Sequence, residues 1–389
     1  MIKKILFIHN TAELGGASTS LLDIISALDR DRFEPIIMLP KEGRFTQQLR
    51  EKGIRMYVRL FSTLPFHEHV RIDLSFSSAK RLLRFLMLLP LTLWNMGWLL
   101  KREQIDLVYL NTSVMIACAI LPKLWGIPII THIREIPYRY AFGDMLLRLH
   151  RLVSKEILCN SVETKRQVER VISNCIVAYD WVDLDKFYPR SVESAKAALG
   201  LPLDRVCIGF ANQLITAKGI FVFLETALQL LRKGYDCTFL VVGGFTHKPE
   251  EIRFWQAVRG EGYESRFICT GWVRNMPDYL AAMDVVVSPN ILPEGFGKTI
   301  IEAQAMERAL VASDIGPTRD LVVDQVTAFL VEPENSFKLA DAIEILINEP
   351  ARREQMGLEG RRFVGERFIM ELRVQTILSV IEGVGCSDT

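Results

Sequence analysis

The chain has 389 residues, of which 49% are hydrophobic and 24% are charged, and its formal net charge at pH 7 is +1. This length is too great for one ordinary hydrophobic core, so we expect two domains of roughly 190 residues each. The composition excludes a disordered chain, and the lack of a recurring sequence period excludes a solenoid. The seven cysteines are never spaced as Cys-x-x-Cys, which favours reduced thiols in a cytosolic protein over disulfides or a zinc ribbon.

The small net charge hides an asymmetry between the two halves of the chain. Residues 1–190 contain 27 Lys and Arg against 19 Asp and Glu, a difference of +8, whereas residues 191–389 contain 20 against 27, a difference of −7. A basic first half suits an anionic membrane surface or a pyrophosphate-linked acceptor, and we expect no nucleic-acid partner. An uneven division of charge between two solvated surfaces is the other interpretation.

Short runs rich in β-branched residues alternate along the chain with helical patterns. The predicted strands are KILFIHN, EPIIMLP, DLVYLNT, IPIITHI, EILCNS and CIVAY in the first half, and RVCIGFAN, CTFLVVGG, RFICTGW, DVVVSP, ALVASD and AFLVEP in the second. Such apolar runs are typical of parallel strands that helices cover on both faces. The predicted helices include TSLLDIISAL, GIFVFLETALQLLRKG and SFKLADAIEILIN. This alternation predicts a doubly wound α/β fold.

The series is interrupted once, at the polar segment DLDKFYPRSVESAKAALGLP. We therefore predict a Rossmann-like domain at residues 1–185, a linker at 186–203, a second Rossmann-like domain at 204–365, and a long amphipathic C-terminal helix at 366–389. Ligands of doubly wound sheets bind at the carboxyl ends of the strands. We therefore expect the candidate site on the loops that follow the strands, in a cleft across which the two domains face each other.

Segment 80–103, KRLLRFLMLLPLTLWNMGWLLKRE, is apolar almost all round its predicted helix. About 20 apolar residues are needed to span a bilayer, so its length is borderline, and Arg84 and the central Pro90 count against a span. Trp94, Trp98 and the flanking basic residues favour a helix that lies in a membrane interface. A helix packed between the first sheet and a neighbouring helix has the same composition, and both interpretations stay open.

The segment PEGFGKTIIEAQAM places a carboxylate on each side of a glycine turn that opens a helix. A helix N-terminus has unpaired N–H groups and the positive end of the helix dipole, so it attracts phosphate. Glu302, about one turn into the helix, is suited to bind a ribose diol, and Glu294 is suited to bind the hydroxyls of a second sugar. The predicted ligand is a sugar nucleotide. On spacing alone, Glu302 is also explained as an acid that stabilises the start of the helix.

The longer stretch MDVVVSPNILPEGFGKTIIEAQAMERALVASDIG resembles the nucleotide-binding signature of glycosyltransferase family 4, a retaining family with the GT-B fold. The family pattern of an aspartate-led strand, a Ser-Pro pair and E-x7-E is present at Asp284, Ser288–Pro289, Glu294 and Glu302. The similarity extends over nearly the whole chain. It implies that a sugar moves from a nucleotide diphosphate to an acceptor hydroxyl with retention at the anomeric carbon. It also implies a last helix that crosses back to the first domain.

Further motifs carry both the resemblance and its departures. ELGGAS resembles the family's glycine loop at the diphosphate, FANQLITAKG its basic phosphate loop, ITHIREIP its donor-sugar histidine segment, and TGWV its nucleobase loop. Lys218 matches the family's lysine, whereas Gln213 stands where an arginine is usual, which leaves one cation in this loop. Asp180 and Trp181 replace Asn and Gly in the motif that precedes the predicted linker.

The resemblance assigns roles to individual residues. The implied catalytic residues are Glu294, Lys218 and His132. The implied donor-binding residues are Gly15, Gly16, Gln213, Val273, Gly295, Phe296, Gly297, Lys298, Thr299 and Glu302. We expect no metal and no cofactor beyond the substrate, a UDP-sugar or GDP-sugar, because cations and N–H dipoles can stabilise the leaving diphosphate. Without the resemblance, His132 is explained as a strand-end histidine bonded to the backbone, and Arg134 with Glu135 as a local ion pair or an acceptor contact.

We therefore expect a retaining glycosyltransferase of surface polysaccharide or glycolipid biosynthesis that acts on a glycan or lipid-linked acceptor. Its expected location is the cytoplasm, with peripheral contact to the cytoplasmic face of the membrane through segment 80–103 and the basic half. Two other classes stay open, namely a GT-B epimerase or phosphorylase and a non-catalytic partner that binds a sugar nucleotide. The loop at Gly15 and Gly16 is not G-x-G-x-x-G, which counts against an NAD-dependent oxidoreductase.

Overall fold

The computed structural model describes residues 2–64, 76–137 and 143–386. The chain divides into two compact units. The first consists of Met1–Asp180, Glu294–Phe296 and Glu371–Thr389, and the second of Trp181–Pro293 and Gly297–Met370. Each unit is built on one parallel sheet, which confirms the predicted doubly wound α/β class.

The first unit contains a seven-stranded parallel sheet. Its strands are β1 Lys3–Ile8, β2 Phe33–Leu39, β3 Arg55–Val58, β4 Leu107–Leu110, β5 Ile129–Ile133, β6 Glu156–Cys159 and β7 Ile176–Val177. Its helices are α1 Gly16–Ala27, α2 Arg44–Glu51, α3 Phe76–Glu103, α4 Ile120–Leu124, α5 Gly143–Val153 and α6 Val162–Val168, with a 3-10 helix at Ser113–Ala119. The strand order is β3-β2-β1-β4-β5-β6-β7, so the direction in which strands are added reverses between β1 and β4.

One face of this sheet packs against the C-terminal half of α3. Leu6 and Ile8 of β1 are fully buried, and they belong to the same hydrophobic cluster as Met96 and Leu99 of α3. Because parallel strands are covered on both faces, consecutive residues of β1 are all buried from Ile5 onward. This packing fixes the central strands whose carboxyl ends carry the candidate site.

The second unit contains a six-stranded parallel sheet with the order β10-β9-β8-β11-β12-β13. Its strands are β8 Val206–Ala211, β9 Cys237–Val242, β10 Phe267–Gly271, β11 Val285–Ser288, β12 Ala309–Ser313 and β13 Phe329–Val331. Its helices are α7 Val192–Ala198, α8 Ile220–Arg232, α9 Lys248–Gly260, α10 Met276–Ala281, α11 Lys298–Ala305, α12 Thr318–Leu321, α13 Ser336–Asn348 and α14 Pro350–Arg367. The order of addition reverses between β8 and β11.

Aromatic side chains fill the core on one face of the second sheet. The ring of Phe223 on α8 lies 5.5 Å from Phe210 and 6.0 Å from Phe239, and the ring of Phe267 lies 5.1 Å from Phe239 and 5.8 Å from Phe254. Edge-to-face and offset contacts at these distances add to the stability that burial of the rings already supplies. The core therefore holds β8, β9 and β10 in fixed register under the loops that follow them.

Three predicted elements differ from the structure. Strand β3 is missing from the prediction because it is short, begins with an exposed arginine and lies at the sheet edge. The segment 186–203, predicted as a linker, belongs to the second unit and contains α7, which Ser191 caps by accepting a hydrogen bond from the N–H of Ser194. The predicted single C-terminal helix is broken after Arg367, and α15 (Met370–Cys386) begins three residues later, with its residues from Glu371 onward grouped with the first unit.

A buried ion pair explains why the polar segment around α7 packs instead of remaining a linker. The Nζ atom of Lys196 lies 2.7 Å from Oδ2 of Asp284, and their side chains are only 5% and 12% exposed. Lys196 also donates to the carbonyl of Arg205, and Asp284 accepts from the N–H of Cys207. The polar groups of this pair are therefore satisfied although they are nearly removed from solvent.

Lys196→Met is expected to lower the free energy of unfolding by about 3 kcal/mol, because it removes the nearer of the two cations beside the buried carboxylate of Asp284. The other cation, Arg353, lies 3.9 Å away. Urea denaturation followed by circular dichroism measures this loss. The control is Lys338→Met, which removes an exposed pair of 2.9 Å with Glu332 and should change stability by less than about 1 kcal/mol. Equal effects of the two variants would contradict the role given to burial.

Candidate functional site

The sequence motifs lie at the switch point of each sheet, where neighbouring strands are followed by crossovers that run in opposite directions. Loops that follow two such strands diverge, so a ligand can approach their backbone groups. In the second unit, the loop after β8 carries Lys218, and Gly297 directly precedes α11. In the first unit, the loop after β1 carries Gly15 and Gly16.

Lys218 ends a 3-10 turn, Thr216–Lys218, in the loop after β8, and its side chain is buried. Glu250 of α9 holds this turn, because its Oε1 accepts hydrogen bonds from the N–H (3.0 Å) and the Oγ1 (2.6 Å) of Thr216. Sequence reasoning missed Glu250, which lies 34 residues away from its partner in the chain. The ammonium of Lys218 is thus carried by a turn that hydrogen bonds fix before any ligand arrives.

The loop after β11 packs directly on the Lys218 turn. The carbonyl of Ala217 accepts hydrogen bonds from the backbone N–H of Ile291 (3.1 Å) and of Leu292 (3.3 Å). Gly219 has a φ of +79°, and a Cβ atom there would lie 1.8 Å from the carbonyl oxygen of Pro289. Position 219 therefore requires glycine both for its conformation and for the close approach of the two loops.

Helix α11 begins directly after this loop and presents its N-terminus without a side-chain cap. Gly297, the N-cap residue, has a φ of +105°, which glycine adopts readily. In the first turn of α11, Oγ1 of Thr299 donates a hydrogen bond to the carbonyl of Ala211 at the end of β8 (3.1 Å). The hydroxyl proton is therefore used inside the protein, while the first-turn N–H groups, including that of Lys298, retain the orientation that suits a phosphate.

Glu302 lies in the second turn of α11 in a strongly desolvated position. Its side chain is half-buried, and protein atoms surround the carboxyl group closely. This burial raises the pKa of Glu302, while the positive charges of Lys298 and Lys186 oppose the rise. A carboxylate that is poor in solvent gains more from hydrogen bonds with a ligand than an exposed one would.

Gln213 and Val273, two further predicted donor-binding residues, lie on separate loops of the second unit. The side chain of Gln213 is exposed, and its backbone N–H donates to Oδ1 of Asn212 (2.9 Å). Val273 is half-buried and follows Gly271, whose φ is +68°. Gln213 supplies an amide where the resembling family has a cation, so Lys218 supplies the positive charge of this loop.

The glycine loop after β1 leads into α1, whose N-cap residue is Gly15 in an extended conformation. No acidic side chain lies in the first turn, and no side chain caps the helix. A Cβ atom at Gly15 would have no protein atom within 4 Å, so packing within the protein does not require glycine there. The first turn of α1 is therefore a second helix N-terminus with the features that suit an anionic group.

A buried histidine network fixes this glycine loop, and sequence reasoning missed it. Nδ1 of His9 accepts a hydrogen bond from Nδ2 of Asn111 (3.1 Å), so the ring proton lies on Nε2 and is directed at Oγ of Ser18 (3.2 Å). Ser18 in turn donates to the carbonyl of Glu13 (2.7 Å). The signal in the sequence is a histidine at the end of β1 and an asparagine at the end of β4, the two strands at the switch point.

His132 lies on β5 and is fully buried. Its Nδ1 lies 2.8 Å from the hydroxyl of Tyr109, whose pKa is raised by burial, so the phenol stays protonated. Burial lowers the pKa of His132 to about 3, and the charge of Arg134 adds to this effect, while Asp180 opposes it. Nε2 has no hydrogen-bond partner of standard geometry among the described residues, although the backbone of Ala178 is close enough to oppose the lowering of the pKa. His132 is therefore a neutral imidazole with one ring nitrogen left to bind a ligand.

Arg134 does not form the local ion pair with Glu135 that the sequence suggested, and the acceptor contact stays a prediction. Its Nη2 lies 2.5 Å from Oδ1 of Asp180, and both side chains are buried. Glu135 instead accepts hydrogen bonds from the backbone N–H of Ser113 (2.7 Å) and of Arg134 (3.0 Å), and thereby caps the 3-10 helix. Asp180, a departure from the resembling family, is therefore the counter-ion of the arginine two residues after His132.

Residues Glu294–Phe296 are grouped with the first unit, and glycine is required at their centre. A Cβ atom at Gly295 would lie 1.9 Å from the carbonyl oxygen of Arg134. The ring of Phe296 packs 6.1 Å from Tyr179, and Oγ1 of Thr164 lies 3.4 Å from the carbonyl of Gly295. Glu294 is half-buried and is held next to this fixed backbone.

The predicted site residues thus fall into two groups. The second unit brings together the turn of Lys218 and the start of α11 with Glu302, and the first unit contains the glycine loop, His132 and Glu294. Within residues 2–64, 76–137 and 143–386, no group of three or more His, Cys, Asp or Glu side chains is arranged to hold a metal ion.

Comparisons with known families match both halves of the chain. The family model described as Glycosyltransferase Family 4 matches residues 14–186, and the model described as Glycosyl transferases group 1 matches residues 205–349. The chain is 30% identical over 178 residues to the alpha-D-kanosaminyltransferase of Streptomyces kanamyceticus, a match that covers 44% of this chain and 45% of that protein. It is 26% identical over 268 residues to the lipopolysaccharide core biosynthesis mannosyltransferase LpcC of Rhizobium leguminosarum bv. viciae, covering 65% and 73%. The chain therefore spans less than half the length of the first of these relatives.

Two solved structures share the whole fold at low sequence identity. HepE of Anabaena, crystallised in complex with UDP and glucose, has a TM-score of 0.81 and 23% identity, with 98% of this chain and 99% of that chain covered. The sucrose-phosphate synthase of Thermosynechococcus elongatus has a TM-score of 0.79 and 18% identity, with 98% and 99% covered. This likeness confirms the predicted GT-B fold.

Glu302→Gln is expected to leave the ligand-free protein at least as stable as the original, because the amide avoids the desolvation of a buried charge. The folded-state pKa of Glu302 is raised, so its ionisation destabilises the folded state as pH rises above the ordinary carboxyl pKa. The stability difference in favour of Glu302→Gln should therefore grow in thermal denaturation as pH rises above the ordinary carboxyl pKa, and level off above the raised pKa of the folded state. The control is Glu332→Gln, whose carboxylate has a lowered pKa because Lys338 donates to it, and which should show no such gain.

Unfolding of the first unit is expected to take up protons below pH 6.5. Burial lowers the pKa of His9 and His132 to about 3 and that of His150 to about 4, so these rings stay neutral when folded and are protonated when unfolded. Stability should fall as pH is lowered from 6.5 toward 4, by up to roughly 2 kcal/mol per histidine between pH 7 and pH 5. Urea denaturation at several pH values measures the slope. His150→Gln should reduce the proton uptake by about one, and an unchanged uptake would contradict this assignment.

Proposed function

Because the chain belongs to the glycosyltransferases of family 4, we propose that it transfers a sugar from a nucleotide diphosphate sugar to an acceptor hydroxyl. The observation that carries this proposal is the arrangement of residues at the second switch point, which lies between β8 and β11 in the sheet of the second unit. There, the buried turn of Lys218, the N-terminus of α11 and the desolvated Glu302 are held together by hydrogen bonds between the loops after β8 and β11. A cation, a set of N–H groups and a carboxylate in this order fit a diphosphate followed by a ribose diol.

The diphosphate is the leaving group of the proposed reaction, and charge develops on it in the transition state. Lys218 and the first-turn N–H groups of α11 stabilise that charge without having to reorganise, because the turn and the helix are fixed beforehand. Gln213 adds a neutral amide to this loop, so the charge of Lys218 matters more than it would beside an arginine. We propose that these groups suffice without a metal ion.

The transfer is proposed to retain the configuration at the anomeric carbon. The acceptor oxygen forms a bond to that carbon on the face from which the phosphate leaves, and the carbon–oxygen bond to the diphosphate breaks with its electron pair going to the phosphate oxygen. The acceptor proton moves to the same oxygen. Glu294 binds the sugar hydroxyls, and the neutral His132 positions the sugar through Nε2. A double displacement with Glu294 as nucleophile is the alternative mechanism.

The donor is proposed to be a UDP-sugar or a GDP-sugar. The UDP and glucose bound to HepE support the first choice. The acceptor is proposed to be a glycan or a lipid-linked sugar of surface polysaccharide or glycolipid biosynthesis, made at the cytoplasmic face of the membrane. The lipopolysaccharide core mannosyltransferase and the capsular polysaccharide glycosyltransferase CapM of Staphylococcus aureus, 28% identical over 171 residues, support this class.

Release of UDP or GDP from a panel of sugar nucleotides, with and without acceptor lipid extracts, tests the function. Lys218→Ala is expected to lower kcat/KM by about 100-fold, because it removes a preorganised charge from the leaving group. Lys338→Ala, which removes an exposed lysine of the same unit, is the matched control and should keep full activity.

The assay also separates the alternatives. A product that forms without any acceptor alcohol would indicate an epimerase, and dependence on free phosphate would indicate a phosphorylase. Thermal stabilisation by a sugar nucleotide without turnover would indicate a non-catalytic binding partner, the class that Gln213 favours. Full activity of Lys218→Ala would overturn the role given to the second switch point.

A further inference from the structure

One face of α3 is apolar and exposed over several turns. Leu83, Met87, Leu91 and Trp94 follow one another at intervals of four, four and three residues, so they form one stripe along the helix. They are 58%, 71%, 41% and 74% exposed. Leu82 and Leu86, which are also exposed, widen the stripe. We call these six residues the α3 face.

The α3 face is a continuous patch and differs from the scattered exposed apolar residues that soluble proteins carry. From Leu82 to Trp94 it extends about 18 Å along the helix axis at 1.5 Å per residue. Next to it, α4 packs on α3 at Gly97, where a Cβ atom would lie 3.3 Å from Leu121. Leu124 and Trp125, at the end of α4, are 73% and 43% exposed and enlarge the patch.

The opposite side of α3 ties the helix to the first unit. The Oγ1 of Thr92 accepts a hydrogen bond from the backbone N–H of Ser62 (2.7 Å), and Nδ2 of Asn95 donates to the carbonyl of Leu60 (2.9 Å). Met96 and Leu99 are fully buried in the core. Residues 82–103 are long and apolar enough to cross a membrane, but these contacts hold the helix along the surface of the unit while the unit is folded.

The charge around the α3 face is positive. Residues 80–102 contain five Lys and Arg and no Asp or Glu. Arg84 and Lys101 are exposed, and the Nζ of Lys101 lies 5.7 Å from the ring centre of Trp125. Glu103, which ends the helix, is buried and bonded to Tyr57 and Arg55, and Nε of Arg102 lies 3.6 Å from its carboxylate, so its charge is compensated within the protein. The remaining four cations of the segment face no acidic side chain within it.

We propose that the α3 face docks the protein on the surface of a bilayer that contains anionic lipids. The apolar stripe inserts among the acyl chains at the interface, Trp94 lies at the headgroup level, and the basic residues around the stripe contact the lipid phosphates. A second copy of the chain fits less well, because a two-fold interface would place these basic residues against their own symmetry mates. The proposal does not depend on the sugar nucleotide assigned above, since it uses other residues.

The test is co-sedimentation of the full chain with vesicles of phosphatidylglycerol and phosphatidylcholine, compared with vesicles of phosphatidylcholine alone. The wild type should bind the anionic vesicles, and the triple variant Leu83→Gln, Met87→Gln, Trp94→Gln should bind at least about 10-fold more weakly because it loses most of the inserted apolar surface. The matched control is Leu203→Gln with Phe337→Gln, two residues of the second unit that are 57% and 72% exposed, and it should bind like the wild type.

A second variant tests the charge. Arg84→Gln with Lys101→Gln should weaken binding to anionic vesicles and reduce its dependence on salt, with little effect on phosphatidylcholine vesicles. Equal vesicle binding by the wild type and the triple variant would overturn the proposal. The proposal would also be overturned if the wild type binds no vesicles and is a dimer by light scattering, while the triple variant is a monomer. Nucleotide release with a water-soluble acceptor reports on the proposed enzyme separately, and the triple variant should retain it.

Discussion

The structure depends on a constraint of parallel sheets, which is that neighbouring strands with diverging crossovers leave their carboxyl ends open to a ligand. In the second unit this constraint brings the loops after β8 and β11 side by side, and in the first unit it does so after β1 and β4. Hydrogen bonds between the loops, such as that from Thr299 to the carbonyl of Ala211, then convert an open edge into a fixed arrangement of charges and dipoles. The fold determines where the candidate site lies, and a few polar contacts fix the positions of its residues.

Desolvation shifts the pKa of a candidate site residue in each of the two units. Glu302 has a raised pKa because burial disfavours its charge, and His132 has a lowered pKa for the same reason. Burial disfavours the charged form of both groups, so both gain from a ligand that supplies the hydrogen bonds that water no longer provides. The Arg134–Asp180 pair shows a different solution, since two buried charges neutralise each other beside the histidine.

Much of the fold was predictable from the sequence, because buried parallel strands are written as short apolar runs. All twelve predicted runs form strands. The strand that was not predicted, β3, lies at the sheet edge, where residues are less buried and need not be apolar. The prediction of a linker at residues 186–203 was wrong because the sequence of α7 is polar. The helix packs through the ion pair between Lys196 and Asp284, and these two residues are 88 positions apart in the chain. Periodicity carries no information on contacts of that kind.

The site was predictable where its residues lie within one motif and unpredictable where partners come from distant segments. The glycine turn and the helix that follows it are local, so the segment from Glu294 to Glu302 could be placed from spacing and resemblance. Glu250 under the Lys218 turn, and Asn111 beside His9, are joined to their partners only by the topology of the sheet. Their types, a glutamate and an asparagine, are common enough that no single sequence distinguishes them from surface residues.

The tight fit of Gly295 has a consequence for the modular exchange of such proteins. Three residues that are grouped with the first unit are encoded within the second, and the carbonyl of Arg134 leaves no room for any side chain at their centre. A chimera that joins the second half of this chain to the first half of a relative would therefore contain a tripeptide, Glu294–Phe296, whose fit depends on a backbone that the relative must supply. Recombination between relatives should succeed where that backbone contact is matched and fail where it is not.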